Sequence, residues 1–299
     1  MSFTTNIKNE ICLNNYSDNE NYYLLCGFLR NNIEIDKDSI KVLSENPKVI
    51  KKIFVVLKEF TSEIEIIKGK SNNFNKKSYY NIIIKDRLSF IIDKFYIGKN
   101  IILKNEEDKR AYLRGVFLSC GSINDPKKSG YHLEFLTDTK EEGLFIKELM
   151  NDFYINAKLI PRDKGYMTYV KEAEKIGDFL RIISASNGVL YYEDIRIYRD
   201  HKNMTNRLNN CEQANVDKII KTNNKQLEDI KVIRDNKKID LLSDKIKEAI
   251  IYREKYPETS LNELSYIISE ETGNKITKSG LNHRFRKLNE IANKYRNSN

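Results

Sequence analysis

Residues 277–287, near the end of the chain, read TKSGLNHRFRK. Leu281, Phe285 and Leu288 recur at helical spacing, so one face of this segment turns inward. Ser279, Asn282, His283 and Arg286 then point outward, with Arg284 and Lys287 flanking them. Such side chains read and grip nucleic acid. Arg286 suits guanine O6 and N7, Asn282 suits adenine, and Lys278 or Lys287 can hold phosphates. Thr277, Lys278, Ser279, Asn282, His283, Arg284, Arg286 and Lys287 are therefore the candidate DNA-contacting residues. Charge agrees with this reading: of a net +9, +6 falls in residues 275–299, where seven Lys and Arg stand against Glu290 alone.

Little else in the chain suggests chemistry. Cys12, Cys26, Cys120 and Cys211 are scattered without CxxC or Cys/His spacing, so neither zinc nor a disulfide framework is expected. His132 reads as a structural strand residue and His201 as a solvated one. No catalytic residue, cofactor or metal is expected. The N-terminus lacks a basic start followed by an apolar run, and no apolar stretch approaches membrane-spanning length. A cytoplasmic, nucleoid-associated protein without a membrane partner is expected. Lys, Asn, Ile and Tyr are abundant while Trp is absent, a skew that an AT-rich genome produces and that accounts for part of the basicity.

The basic segment needs elements to hold it. Three helices are expected in residues 237–299. The first covers Asp240 to Tyr256 and stops before Pro257. The second opens on a capping box, Ser260 with Glu263, and breaks at Thr272-Gly273-Asn274. The third starts near Thr277. A helix, a Gly-containing turn and a basic helix make the helix-turn-helix plan. Before them, 199–236 is polar and free of Pro and Gly, which reads as a helical linker of one long or two shorter helices.

Residues 1–198 are organised by a repeat. Ala111 to Pro126, AYLRGVFLSCGSINDP, reads as a helix centred on Gly115 that runs into a turn at Gly121-Ser122. About ninety residues upstream, NYYLLCGFLRNNIEI has the same cadence around Gly27. Each copy is followed by strand, helix, strand, strand and helix. In the first half (1–100) these are 39–43, a helix opened by Pro47, 63–68, 79–85 and 88–96, after an opening helix over 2–14 capped by Thr4 or Thr5. The turn SNNFNKKS joins the two later strands. In the second half (101–198) they are 131–136, 140–153, 157–160, 166–170 and 174–184, with NDPKKSG as a loop insertion. A further strand is expected over 190–198. The expected fold class is α+β: a pseudo-symmetric double α/β domain, then an all-α helix-turn-helix domain.

The paired glycine-centred helices resemble the LAGLIDADG motif of homing endonucleases, in which two such helices pack along a pseudo-dyad and each ends in a metal-binding carboxylate. Aligned on that motif, Asn32 and Cys120 stand at the carboxylate positions, and Gly27 and Gly115 at the helix-packing positions. Neither Asn32 nor Cys120 replaces a charged oxygen ligand for magnesium. Together with NMTNRLNNCEQAN and KSGLNHRFRKLNEIA, the degenerate double motif closely resembles the WhiA family over nearly the whole chain. That resemblance implies a non-enzymatic bacterial regulator bound to double-stranded DNA, with a transcription or division protein as a further partner. It implies sporulation transcription in filamentous actinomycetes and cell division or chromosome segregation in non-sporulating Gram-positive relatives. The AT-rich composition resembles the second group. The alternatives are an active homing endonuclease or RNA maturase on the same scaffold, and a protein-interaction scaffold.

Overall fold

The computed structural model describes residues 2–70, 78–128 and 130–296. Most of the SNNFNKKS turn and Ser129 of the loop insertion therefore lie outside the described residues. The chain divides into two compact units, 1–200 and 201–299.

In the first unit, α1 (Phe3–Leu13) precedes α2 (Asp18–Arg30), β1 (Glu34–Ile35), β2 (Ile40–Ser44), α3 (Pro47–Leu57), β3 (Ile64–Lys70), β4 (Ser78–Ile84) and α4 (Leu88–Lys94). The same order recurs as α5 (Glu106–Cys120), β5 (Gly121–Ile123), β6 (Leu133–Thr137), α6 (Lys140–Asn151), β7 (Lys158–Pro161), β8 (Tyr166–Val170) and α7 (Ala173–Ile182). Each half builds one antiparallel four-stranded sheet with matching strand order, β1-β2-β4-β3 and β5-β6-β8-β7. Ile40, Val42, Ile82 and Ile84 alternate onto the buried face of the first sheet, as the two-residue period requires.

Helices α2 and α5 form the spine. A Cβ on Gly27 would lie 2.2 Å from the Tyr112 carbonyl oxygen, and one on Gly115 would lie 1.9 Å from that of Leu24. The contacts are reciprocal: Gly27 meets Tyr112 and Val116, while Gly115 meets Leu24 and Phe28. Each partner in one helix is the repeat equivalent of the partner in the other, so the pseudo-dyad passes between the glycines. Only hydrogen on both α-carbons lets the backbones come this close.

Several elements differ from the sequence expectations. The cap of α1 is Ser2, whose extended backbone lets its hydroxyl accept from the Thr5 amide at 3.1 Å. Thr4 instead donates to the Ile123 carbonyl at 2.8 Å and accepts from the Ile123 amide at 3.0 Å. Gly121 is no turn; its φ of −79° and ψ of 142° are extended, and it opens β5. A capping box, Ser17 with Glu20, starts α2 three residues earlier than expected.

The largest correction concerns 190–198. This segment is not a strand but part of α8 (Ser186–Asp235). LYYEDIRIY alternates well enough for a strand, yet the less exposed positions Gly188, Tyr192, Ile195 and Arg199 recur at spacings of four, three and four, which only a helix puts on one side. Glu10 settles the start of this helix by accepting from the Asn187 and Gly188 amides at 2.7 and 3.0 Å.

In the second unit, α9 (Asp244–Lys255), α10 (Leu261–Thr272) and α11 (Lys278–Arg296) pack with the last turns of α8. The 199–236 segment is thus more than a connector. Ile230 and Ile233 share a core with Leu242, Ile246, Ile250, Leu288 and Ala292. A second cluster joins Ala249, Leu264, Ile268, Leu281 and Phe285. The first helix of the tail begins later than expected, because Leu242 is extended between a 3-10 turn (Ile239–Leu241) and α9.

Candidate nucleic-acid interface

The α10–α11 turn is fixed by side chains that satisfy its backbone. The Ser260–Glu263 capping box starts α10, and Gly273 ends it at φ 69°, the left-handed conformation that favours glycine. The Ser269 hydroxyl accepts from the Ile276 amide at 2.9 Å and donates to the Ser265 carbonyl at 2.7 Å. Thr277 accepts from the Gly280 amide at 3.1 Å, so this candidate DNA contact also caps α11.

On α11, Leu281, Phe285 and Leu288 are buried. Thr277, Lys278, Ser279, Asn282, His283, Arg286 and Lys287 are exposed, bringing seven of the eight candidate residues onto one accessible surface. Arg284 departs from the expectation. It donates to the Lys245 carbonyl at 3.1 Å and pairs with Glu248, so it fastens α11 to α9.

Arg253 sets the depth at which α11 sits. Its guanidinium is fully buried and donates to Gln226 Oε1 at 2.9 Å, to the Thr259 carbonyl at 2.8 Å and to the Tyr256 carbonyl at 3.2 Å. It also lies 5.5 Å from the centre of the Phe285 ring. Burial without a carboxylate partner pulls its pKa down to about 10. This residue ties α8, α9, the start of α10 and α11 together. Sequence reasoning missed it, since an Arg on a surface-rich helix gives no sign of burial.

Sequence reasoning also missed the flank supplied by α8. Asn215, Lys218, Thr222 and Asn223 border one concavity with Ser260, Leu261, Asn262 and Lys278. Thr222, Lys225, Gln226 and Asp229 border a second with Asn282, Phe285, Arg286 and Asn289. Further along, Asp229 accepts from Asn289 Nδ2 and pairs with Arg296, both at 2.7 Å.

The ends of the two spine helices hold a different set of groups. Asn32 donates from Nδ2 to the Leu43 carbonyl at 2.6 Å and accepts the Leu43 amide on Oδ1 at 3.3 Å, so its side chain is used up on β2. The Cys120 thiol donates to the Val116 carbonyl at 3.5 Å, and burial pushes its pKa up to about 11. The Lys8 ammonium donates to the Leu118 carbonyl at 3.0 Å, close to Cys120. An amide, a neutral thiol and an ammonium do not suit magnesium, which takes carboxylate oxygens. Arg30, which precedes Asn31 and Asn32, donates to the Tyr96 carbonyl at 2.9 Å, to that of Lys99, and pairs with Glu142 of α6. Among the described residues, no three His, Cys, Asp or Glu side chains are placed to share a metal. No described helix is long and apolar enough to cross a membrane.

A model of the WhiA LAGLIDADG-like domain matches residues 109–202, and a model of the WhiA C-terminal HTH domain matches residues 205–292. The "Probable cell division protein WhiA" of Bacillus mycoides (strain KBAB4) is 42% identical over 269 residues, spanning 86% of this chain and 84% of that protein. Its counterpart in Bacillus cereus (strain G9842) gives the same values. Full-length WhiA from Thermatoga maritima superimposes with a TM-score of 0.61 at 24% identity, covering 98% of this chain and 99% of the other. A crystal structure of the N-terminal LAGLIDADG domain of WhiA gives a TM-score of 0.52 at 26% identity, covering 61% and 90%.

Proposed function

Because the chain belongs to the WhiA family, we propose that it is a non-enzymatic, sequence-selective DNA-binding protein that regulates transcription tied to cell division and chromosome segregation. The exposed row on α11 carries this reading: Ser279, Asn282, His283 and Arg286 stand clear of the core on the second helix of a helix-turn-helix. Arg286 and Asn282 read base edges in the major groove, while Lys278 and Lys287 hold phosphates. Arg284 acts indirectly, by holding α11 against α9.

The spine helices are a nuclease scaffold without nuclease chemistry. Asn32 and Cys120 occupy the places where the LAGLIDADG motif has carboxylates, and the nearby Lys8 ammonium opposes a divalent cation electrostatically. For the first unit we favour a protein partner of the transcription or division machinery. On the outward face of β2–β4–β3, Leu43 and Ile67 are nearly half exposed, while Lys41 and Lys85 are paired with Asp36 and Glu65. Among the described residues, such a face offers apolar contact and few free cations.

The test is fluorescence anisotropy of the full-length protein on random and genomic-promoter duplexes over a salt series, with Arg286→Ala alongside. Binding that falls steeply with salt and loses its sequence preference in Arg286→Ala is the expected result. Equal affinity of wild type and variant for all duplexes would remove α11 as the reading element. Cleavage of plasmid DNA on adding magnesium would restore the nuclease alternative.

A further inference from the structure

Three lysines of α8, Lys218, Lys221 and Lys225, lie at spacings of three and four residues and so share one side of the helix. All three are exposed, and none has a carboxylate partner among the described residues. Lys218 borders the same concavity as Lys278, the first residue of α11, and Lys225 borders the same concavity as Asn282 and Arg286. Order along α8 thus follows order along α11. Carboxylates share these surfaces: Asp217 and Glu228 line one concavity with all three lysines, and Asp229 and Glu290 line another with Lys225 and Arg286. Asp217 is engaged by Gln213 at 2.8 Å and Asp229 by Arg296 at 2.7 Å, so neither neutralises a lysine of the strip.

We propose that Lys218, Lys221 and Lys225 form a second DNA-contacting strip that grips the phosphate backbone beside the groove entered by α11. Seven residues of helix span about 10 Å, which matches the axial rise of about three phosphates on one strand at about 3.4 Å each. Lysine is suited to this role because its point charge needs no base-specific geometry. The strip supplies affinity and register, and α11 supplies sequence discrimination. This inference rests on the DNA-binding reading above.

The experiment compares the full-length protein with the triple variant Lys218→Gln, Lys221→Gln, Lys225→Gln on random-sequence and promoter duplexes over a salt series. A triple Arg variant at the same positions keeps the charge, and Arg286→Ala serves as the reading-helix control. The Gln variant is expected to lose about tenfold or more in affinity on both duplexes alike, with a salt slope shallower by about two to three units. The Arg variant should restore both. Unchanged affinity and slope in the Gln variant, with binding still impaired in Arg286→Ala, would overturn the strip and leave the function standing. Absence of binding by the unmodified protein would overturn the function itself.

Discussion

Replacing Gly115 with alanine would put a methyl group 1.9 Å from the Leu24 carbonyl oxygen, a contact that neither helix backbone can relax without moving the other. We expect Gly115→Ala to destabilise the first unit by about 2–3 kcal/mol, the range of an overpacked core, as measured by urea unfolding. Gly27→Ala should behave alike, because the two contacts are related by the pseudo-dyad. A much smaller cost would mean that the spine can splay. In the second unit the comparable residue is Arg253. Arg253→Ala takes the donor from Gln226 Oε1 and empties the space that the buried side chain fills beneath Phe285, and should cost more than about 2 kcal/mol. Thermal unfolding followed by circular dichroism would register it. Glycine spacing made the first site legible in the sequence. Nothing in the sequence marked Arg253 as buried, because an arginine within IYREKY looks like any surface cation.

At the level of elements, strand and helix ends depend on a few polar side chains whose work is pH-dependent. Asp86, just after β4, accepts the Thr61 hydroxyl, the Ser62 amide and hydroxyl at 3.2 and 3.0 Å, and the Glu63 amide at 3.1 Å. These donors, the Thr61 hydroxyl foremost, hold its carboxyl at about 2, below the usual 3.8. Because the folded-state pKa is depressed, the stabilisation is present above about pH 4 and is lost as pH falls toward 2. Asp86→Asn should therefore have a lower urea midpoint than wild type at pH 7, and the gap should narrow below pH 4. A constant gap would place the effect in packing instead. Helix α10 offers a parallel test without titration: Ser260→Ala should cost about 1 kcal/mol through the lost cap. The capping box was readable from residue types alone. The helical state of 190–198 was not, since period-two and period-three-to-four patterns both fit nine residues and a distant carboxylate, Glu10, supplies the missing amide partner.

For the molecule as a whole, the two units have separate cores, one built on the paired sheets and spine helices and the other on α9, α10, α11 and the end of α8. A C-terminal fragment that begins at residue 201 keeps Asn223, Gln226, Ile230 and Ile233, whereas one that begins at 237 loses them. We expect the first to unfold cooperatively in a thermal melt and the second to give no cooperative transition. If the shorter fragment folds equally well, the last turns of α8 are dispensable to the core they line. Charge is also unevenly placed, with most of the net +9 in the final 25 residues, so the proposed DNA binding is expected to owe its salt dependence to the second unit.

By itself the sequence determined the repeat, the order of most elements, the capping box and the outward row on α11. Each of these is a local pattern, set by periodicity, by residue types at fixed short offsets, or by two similar segments. Tertiary structure alone decided the rest. It turned Arg284 onto Glu248, buried Arg253 beneath Phe285, spent Asn32 on the backbone of β2, and drew the end of α8 into the second core beside α11. In each case the deciding partner lies on another element, and a side chain with several good partners takes the one that packing brings within reach.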